Sequence, residues 1–181
     1  MSKPARTRKP PVLTIGHSAR TLEEFVTLLR NQEVEQIVDV RKMPGSTAHP
    51  HFNEDVLADA LEKVGIGYVH VPALGGLRRP EVESPNGGWR NRSFQGYADY
   101  MQTEEFELAL QSVVELASRR RIALMCAEAV PWRCHRSLIA DALVARRIPV
   151  EHIMSRGRTE RHTLRAFAHV KEQRVTYPPQ D

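Results

Sequence analysis

Between Cys126 and Arg136 the chain places two thiols, a carboxylate, an imidazole and two guanidinium groups within the run Cys126-Ala127-Glu128-Ala129-Val130-Pro131-Trp132-Arg133-Cys134-His135-Arg136. The apolar stretch Ile122 to Cys126 reads as a buried strand and His135 to Arg147 as a helix, so the loop between them faces a helix N-terminus. Such an end has free N–H groups and a partial positive charge, which favour anions and lower a thiol pKa. Cys126 is therefore a candidate nucleophile, and Glu128 a candidate general acid or base if burial raises its pKa. Arg133, Arg136 and Arg41 can fork onto phosphate or sulfate oxygens. His17, at the end of another strand, is a candidate hydrogen-bond or proton donor. Ser18, Ser46, Gly75 and Gly76 stand in turns beside these positions as further candidate anion contacts. The competing reading makes Cys126 a small core hydrophobe and pairs the arginines with Glu128, Asp39 and Asp141.

Cys126, Cys134, His135 and His17 are also metal-ligand types, but there is no Cys-x-x-Cys and no His-x-Glu with Cys-x-x-Cys, so neither a metal nor a cofactor is expected. His135 precedes Leu138 by one helical turn and reads as a buried imidazole. Trp89, Trp132, Tyr97 and Tyr100 can stack bases or simply pack loops onto the body.

These side chains need elements to present them. Val12 to Ile15 is a β-branched run ending in Gly16-His17-Ser18, and Thr21-Leu22-Glu23-Glu24 offers a capping box for a helix to about Asn31. Gln36 to Val40 is a second strand delivering Arg41. Asn53 opens a helix closed by Gly65, and Ile66 to Val71 is a third strand. Thr103 caps a helix through Ala117, and Val150 to Ile153 is a fifth strand after Ile122 to Cys126. Alternation of this kind predicts an α/β fold: a mostly parallel central sheet of about five strands with helices on both faces, its ligands bound outside the strands' carboxyl ends. Those ends are Gly16-His17-Ser18, Arg41, Leu74-Gly75-Gly76, Cys126-Ala127-Glu128 and Ser155-Arg156. The stretch Pro72 to Ser93, with its glycines, prolines and four arginines, reads as a mobile cover over that edge.

Composition bounds the rest. At 181 residues and 41% hydrophobic content the chain suits one domain with a real core. The expected division is a basic disordered tail over 1–11, a single α/β domain over 12–170 and a C-terminal tail over 171–181. The formal charge of +4 comes from Lys3, Arg6, Arg8 and Lys9, leaving 22 basic against 22 acidic residues in the body. Arg119 to Arg121, and Arg156, Arg158, Arg161 and Arg165, can still form a basic face. No apolar run approaches the roughly 20 residues of a membrane span, and the N-terminus lacks the apolar core of a secretory signal, so a cytoplasmic location without membrane partners is expected.

The motifs Thr14-Ile15-Gly16-His17-Ser18, Asp39-Val40-Arg41 with Pro44 and Ser46, Leu74-Gly75-Gly76, Gly96-Tyr97-Ala98-Asp99-Tyr100-Met101, and Cys126-Ala127-Glu128 with Cys134-His135-Arg136 resemble, in this order, the domain-of-unknown-function 488 family from about Val12 to Phe167. The resemblance implies a shared α/β fold and a shared site, with no established reaction. The strand-end cysteine is also similar to those of rhodanese and cysteine-phosphatase loops. Arg133, however, falls one position late, and Pro131 and Trp132 stand where a phosphate cradle needs glycine. The resulting expectation is an enzyme that binds a phosphate-bearing substrate, a nucleotide or nucleic acid, at the carboxyl edge. The alternatives are a non-catalytic nucleic-acid-binding module and a thiol-redox or metal protein.

Overall fold

Val12–Gly16 (β1) and Ile122–Cys126 (β4) are buried at every residue, the signature of strands covered on both faces. They pair in parallel at the centre of a six-stranded sheet in a computed structural model that describes residues 9–155 and 158–181. Gln36–Asp39 (β2) and Gly67–His70 (β3) extend the sheet on one side, and Val150–Ile153 (β5) and Thr159–Arg161 (β6) on the other, in the order β3-β2-β4-β1-β5-β6. Only β6 runs antiparallel to its neighbour. The sheet therefore has one strand more than the sequence predicts. Residues 1–8, most of the basic tail, and Arg156 of the last strand end lie outside the described residues.

Side-chain alternation gives the sheet two cores. Leu13, Ile15, Ile37, Ala123 and Met125 meet Leu22–Asn31 (α1) and Glu54–Lys63 (α2) on one face. Val12, Val38, Leu124 and Cys126 meet Arg92–Tyr100 (α3), Glu104–Ala117 (α4) and Arg136–Ala145 (α5) on the other. Thr21 and Glu24 form the capping box of α1, and Thr103 caps α4. Because β4 inserts between β1 and β2 while β5 flanks β1 on its far side, the helices change faces there, and the β1–β4 boundary is the topological switch point.

Helix α3 begins at the end of the stretch Pro72 to Ser93, which reads as a loop, and no element is expected there from the sequence. Asn91 caps it, and Gly96 lets it approach the chain so closely that an added Cβ would collide with the Arg78 carbonyl. The segment 171–181, expected as a tail, belongs to the body. Arg174–Thr176 (β8) pairs with His169–Lys171 (β7), and Val175 and Tyr177 are core residues. Among the described residues no helix is long and apolar enough to cross a membrane.

Candidate functional site

The carboxyl ends of β2, β4 and β1 are neighbours, with Gly16 opposite Cys126 and Asp39 opposite Met125. Pairing continues past the strands: the His17 N–H donates to the Cys126 carbonyl (2.9 Å) and the Ser18 N–H to that of Ala127 (2.8 Å). His17, Arg41, Cys126 and Glu128 thus share one edge, but not one cleft. Strand alternation sends Met125 into the α1/α2 core and Cys126 into the α5 core, so the side chains at the edge form two clusters on opposite faces.

Arg41 anchors the first cluster. Its Nε and Nη2 fork onto Asp39 Oδ1 and Oδ2 at 2.9 and 2.7 Å, and Nη2 also donates to the Phe52 carbonyl at 2.8 Å. Tyr68 donates its phenol proton to Asp39 Oδ2 (2.5 Å), and burial beside that carboxylate pushes the phenol pKa far up. Arg41 Nη1 faces His17 Nε2 at 3.3 Å, while His17 Nδ1 faces the Ser18 carbonyl at 2.8 Å. A guanidinium only donates and a carbonyl only accepts, so this imidazole is neutral with its proton on Nδ1. Burial, aided by the Arg41 charge, pushes His17 down to about 4. His17 is stacked 4.3 Å from Phe52 and carries no proton to give through Nε2 at neutral pH. Arg41, expected to hold an anion, spends its fork on the protein.

Arg136 anchors the second cluster and is wholly buried. Nη1 donates to Cys126 Sγ at 2.6 Å and to the Glu128 carbonyl, Nη2 to the Ala129 carbonyl at 3.0 Å, and Nε to Thr14 Oγ1 at 3.2 Å. It ties the loop after β4 to the sheet, and this role replaces the expected contact with a ligand. Burial by itself pushes the Cys126 thiol up. The Cys134 thiol donating to its sulfur, with the charge and N–H of Arg136, more than offsets burial and brings Cys126 to about 7. Cys134 is held well above its ordinary value because it gives its proton to Cys126 and is itself buried. Both cysteines are free. His135 Nε2 meets the Val40 carbonyl at 3.0 Å and its Nδ1 faces Cys134 Sγ at 3.6 Å, and burial pushes the imidazole down to about 4.

The other candidate residues have mostly local duties. Glu128 is exposed and its Oε1 accepts from the Val130 N–H at 3.1 Å, which closes its own turn. Ser46 Oγ accepts from the N–H groups of Ala48 and His49. Ser18 takes a left-handed conformation at φ 49° to turn the chain after β1. Gly75 and Gly76 admit the Lys42 backbone and the His135 ring, each within about 3 Å of where a Cβ would stand. Arg133 is exposed. The stretch Pro72 to Ser93 is fastened to α3 and to Tyr177, just after β8. Tyr97 and Tyr100 hold the carbonyls of Leu74 and Ala73, Asp99 accepts from Glu81 N–H, Ser84 and Asn86, and Arg78 lies over the Tyr100 ring at 3.6 Å.

Behind Arg136 runs a chain of buried polar groups that sequence reasoning missed. Thr14 Oγ1 meets His152 Nδ1 at 2.6 Å, His152 Nε2 meets His162 Nδ1 at 2.9 Å, and His162 Nε2 meets Asp141 Oδ1 at 2.7 Å. Tyr177 closes the chain by donating to Asp141 Oδ2 at 2.6 Å. With a donor-only guanidinium at one end and a carboxylate at the other, the run can donate in one direction, from Arg136 through Thr14, His152 and His162 to Asp141, with His152 neutral. Burial pushes His152 down to about 3, consistent with that assignment. The visible signal is a threonine inside the otherwise apolar β1 and a histidine in β5 with apolar neighbours two positions away on either side.

Among the described residues no group of three or more His, Cys, Asp or Glu side chains is placed to hold a metal ion. No curated protein and no solved structure matches the chain. The family model described as Domain of unknown function DUF488 matches residues 21–143, from the capping box of α1 to the last core leucine of α5, and so takes in β2, β4 and the whole Cys126 to Arg136 segment. The chain belongs to that family.

Proposed function

We propose that this protein is a thiol-dependent redox enzyme in which Cys126 is the attacking thiolate and Cys134 the resolving thiol. One observation carries the reading: a buried arginine donates to Cys126 Sγ at 2.6 Å, which lowers that thiol's pKa, while that of the neighbouring buried thiol, Cys134, is raised. Opposed shifts of this kind divide a dithiol into a nucleophile ionised near neutrality and a partner that keeps its proton. Cys126 is 2% exposed, so the oxidant has to be small. A hydroperoxide meets that condition. Its distal oxygen is attacked by the Cys126 thiolate, the O–O bond breaks, and the leaving oxygen takes up a proton, giving a sulfenic acid. The Cys134 sulfur then displaces hydroxide, which leaves as water with the Cys134 proton, and two electrons have passed from two thiols to the peroxide.

The expectation of an anionic substrate fits the same edge through Arg133, which is exposed beside the thiols, rather than through Arg41 or Arg136. Treatment of the native protein with hydrogen peroxide tests the proposal by intact mass and peptide mapping. The expected product has lost two hydrogens and carries a Cys126–Cys134 crosslink, and Cys134→Ser stops at a sulfenic acid on Cys126 that dimedone traps. Native protein whose two thiols stay reduced under conditions that oxidise the unfolded chain would refute the reading.

A further inference from the structure

The opposite, amino edge of the sheet carries a concentration of positive charge, of which the Arg146 and Arg121 guanidinium groups have internal partners, Glu107 and the Gln32 carbonyl. A cavity of about 840 Å³ opens beside the start of β1 and β5 and is lined by Lys9, Arg147 and Arg161, with Glu151 as its carboxylate. A second cavity, of about 240 Å³, is lined by Arg119, Arg120 and Arg121 with Glu35. Pro10 and Pro11 form a wall of both, so the two are lobes of one groove. Glu35 is already engaged by the Arg121 N–H at 2.6 Å, and of the arginines in the groove Arg146 alone is ion-paired, to Glu107, among the described residues. Lys9, Arg119, Arg120, Arg147 and Arg161 are exposed.

We infer that this groove binds the phosphate backbone of a duplex nucleic acid. The charge is spread along two joined lobes, which suits a repeating anion better than a single phosphate. Prolines at the shared wall have no N–H to offer, so recognition falls to long cationic side chains, which act on phosphates without reading sequence. Among the described residues no Phe, Tyr or Trp lines either lobe, so they offer none of the stacking platform on which single strands rely. The body beyond the basic tail is balanced in charge, and a cationic groove on such a body focuses attraction at one place. The inference is independent of the thiol chemistry, which lies at the other edge.

Fluorescence anisotropy with a labelled DNA duplex of about 20 base pairs, titrated with salt, tests it. Binding is expected to weaken as salt rises, and Lys9→Glu/Arg120→Glu/Arg161→Glu to weaken it at least about tenfold at low salt. The slope of log K against log salt should shrink by about 0.9 for each phosphate contact removed. Arg90→Glu/Arg92→Glu, in the loop before and at the start of α3, should bind as the parent does. Glutamine at the same three groove positions provides the milder variant if the glutamates impair folding, with the same direction expected. A parent that does not bind duplex at low salt, a groove variant that binds as tightly as the parent, or poly-glutamate that binds the parent better than duplex does would each overturn the inference.

Discussion

Replacing Arg136 by methionine removes a buried guanidinium and leaves its acceptors in place. The Glu128 and Ala129 carbonyls and the Thr14 hydroxyl each lose a donor, and Cys126 Sγ loses the cation 2.6 Å away. Stranding a buried acceptor costs about 1–3 kcal/mol, and breaking a buried charged pair about 3–5 kcal/mol. These terms overlap, because an unpaired Cys126 escapes most of its penalty by keeping its proton, so the expected loss is about 4 kcal/mol. For a domain of this size that lowers Tm by roughly 8–16 °C. The thiol gives a second readout. The parent Cys126 ionises at about 7 in the folded state against 9.0 for an ordinary cysteine. The unfolded state therefore binds more protons between those values, and the parent gains stability as pH rises from 7 to 9 and loses it as pH falls back through 7. Without Arg136 that gain should shrink sharply. Thermal melts across this pH window, with the alkylation rate of each cysteine followed by mass spectrometry, measure both effects. Arg136→Lys should recover part of the thiol shift through its charge and little of the loop tie, which needs the fork. A methionine variant that melts within about 2 °C of the parent, with Cys126 still ionising near 7, would refute the reasoning.

Two further outcomes follow from the same geometry. His17, His135 and His152 are held neutral in the folded state down to about 4, 4 and 3, whereas an unfolded histidine titrates at 6.5, so stability should fall as pH drops below 6.5, by up to about 1.4 kcal/mol per pH unit for each group. Urea midpoints measured from pH 7 to pH 4 that stay flat would contradict the buried neutral imidazoles. Gly16→Ala places a Cβ against the Glu128 carbonyl and Ala129 Cα, so it should lift the loop after β4, lower Tm, and raise the alkylation rate of Cys126; a parent-like melt with an unchanged thiol would show that the loop yields freely.

Much of the fold was legible because its signals are local. A capping box at Thr21 and Glu24, buried apolar runs at Val12 to Ile15 and Ile122 to Cys126, and helical spacing after Thr103 each declare an element within a few residues, and their alternation implies a parallel sheet. What the sequence hid depends on distant partners. Helix α3 begins inside a loop-like stretch and contains a glycine, so the helical spacing of Phe94, Tyr97, Ala98 and Met101 is easily passed over until the Arg78 carbonyl is seen pressed against Gly96. The β7–β8 hairpin reads as a polar tail because Val175 and Tyr177 find their core across the chain, on α5 and at Asp141.

The same distinction explains why the strand-end edge was legible and the internal partners of its arginines were not. A strand end followed by arginine marks where chemistry can gather, but whether that arginine faces a ligand depends on how many acceptors the fold already brings within its reach. For Arg41 the acceptors are a carboxylate two residues back and the Phe52 carbonyl; for Arg136 they are two loop carbonyls, a hydroxyl and a sulfur. Backbone carbonyls are invisible to residue type, so a guanidinium that pins a loop and one that awaits a phosphate look alike in sequence. The thiols behave differently, because a cysteine has few hydrogen bonds to spend and its character is set by whatever cation and second sulfur stand beside it. Once Arg136 is committed to the loop, its charge is fixed against Cys126, and the loop it holds, from Glu128 to Cys134, also delivers the second thiol. The residue that first looked like a ligand-binding arginine is thereby the group whose charge and N–H lower the pKa of the neighbouring thiol.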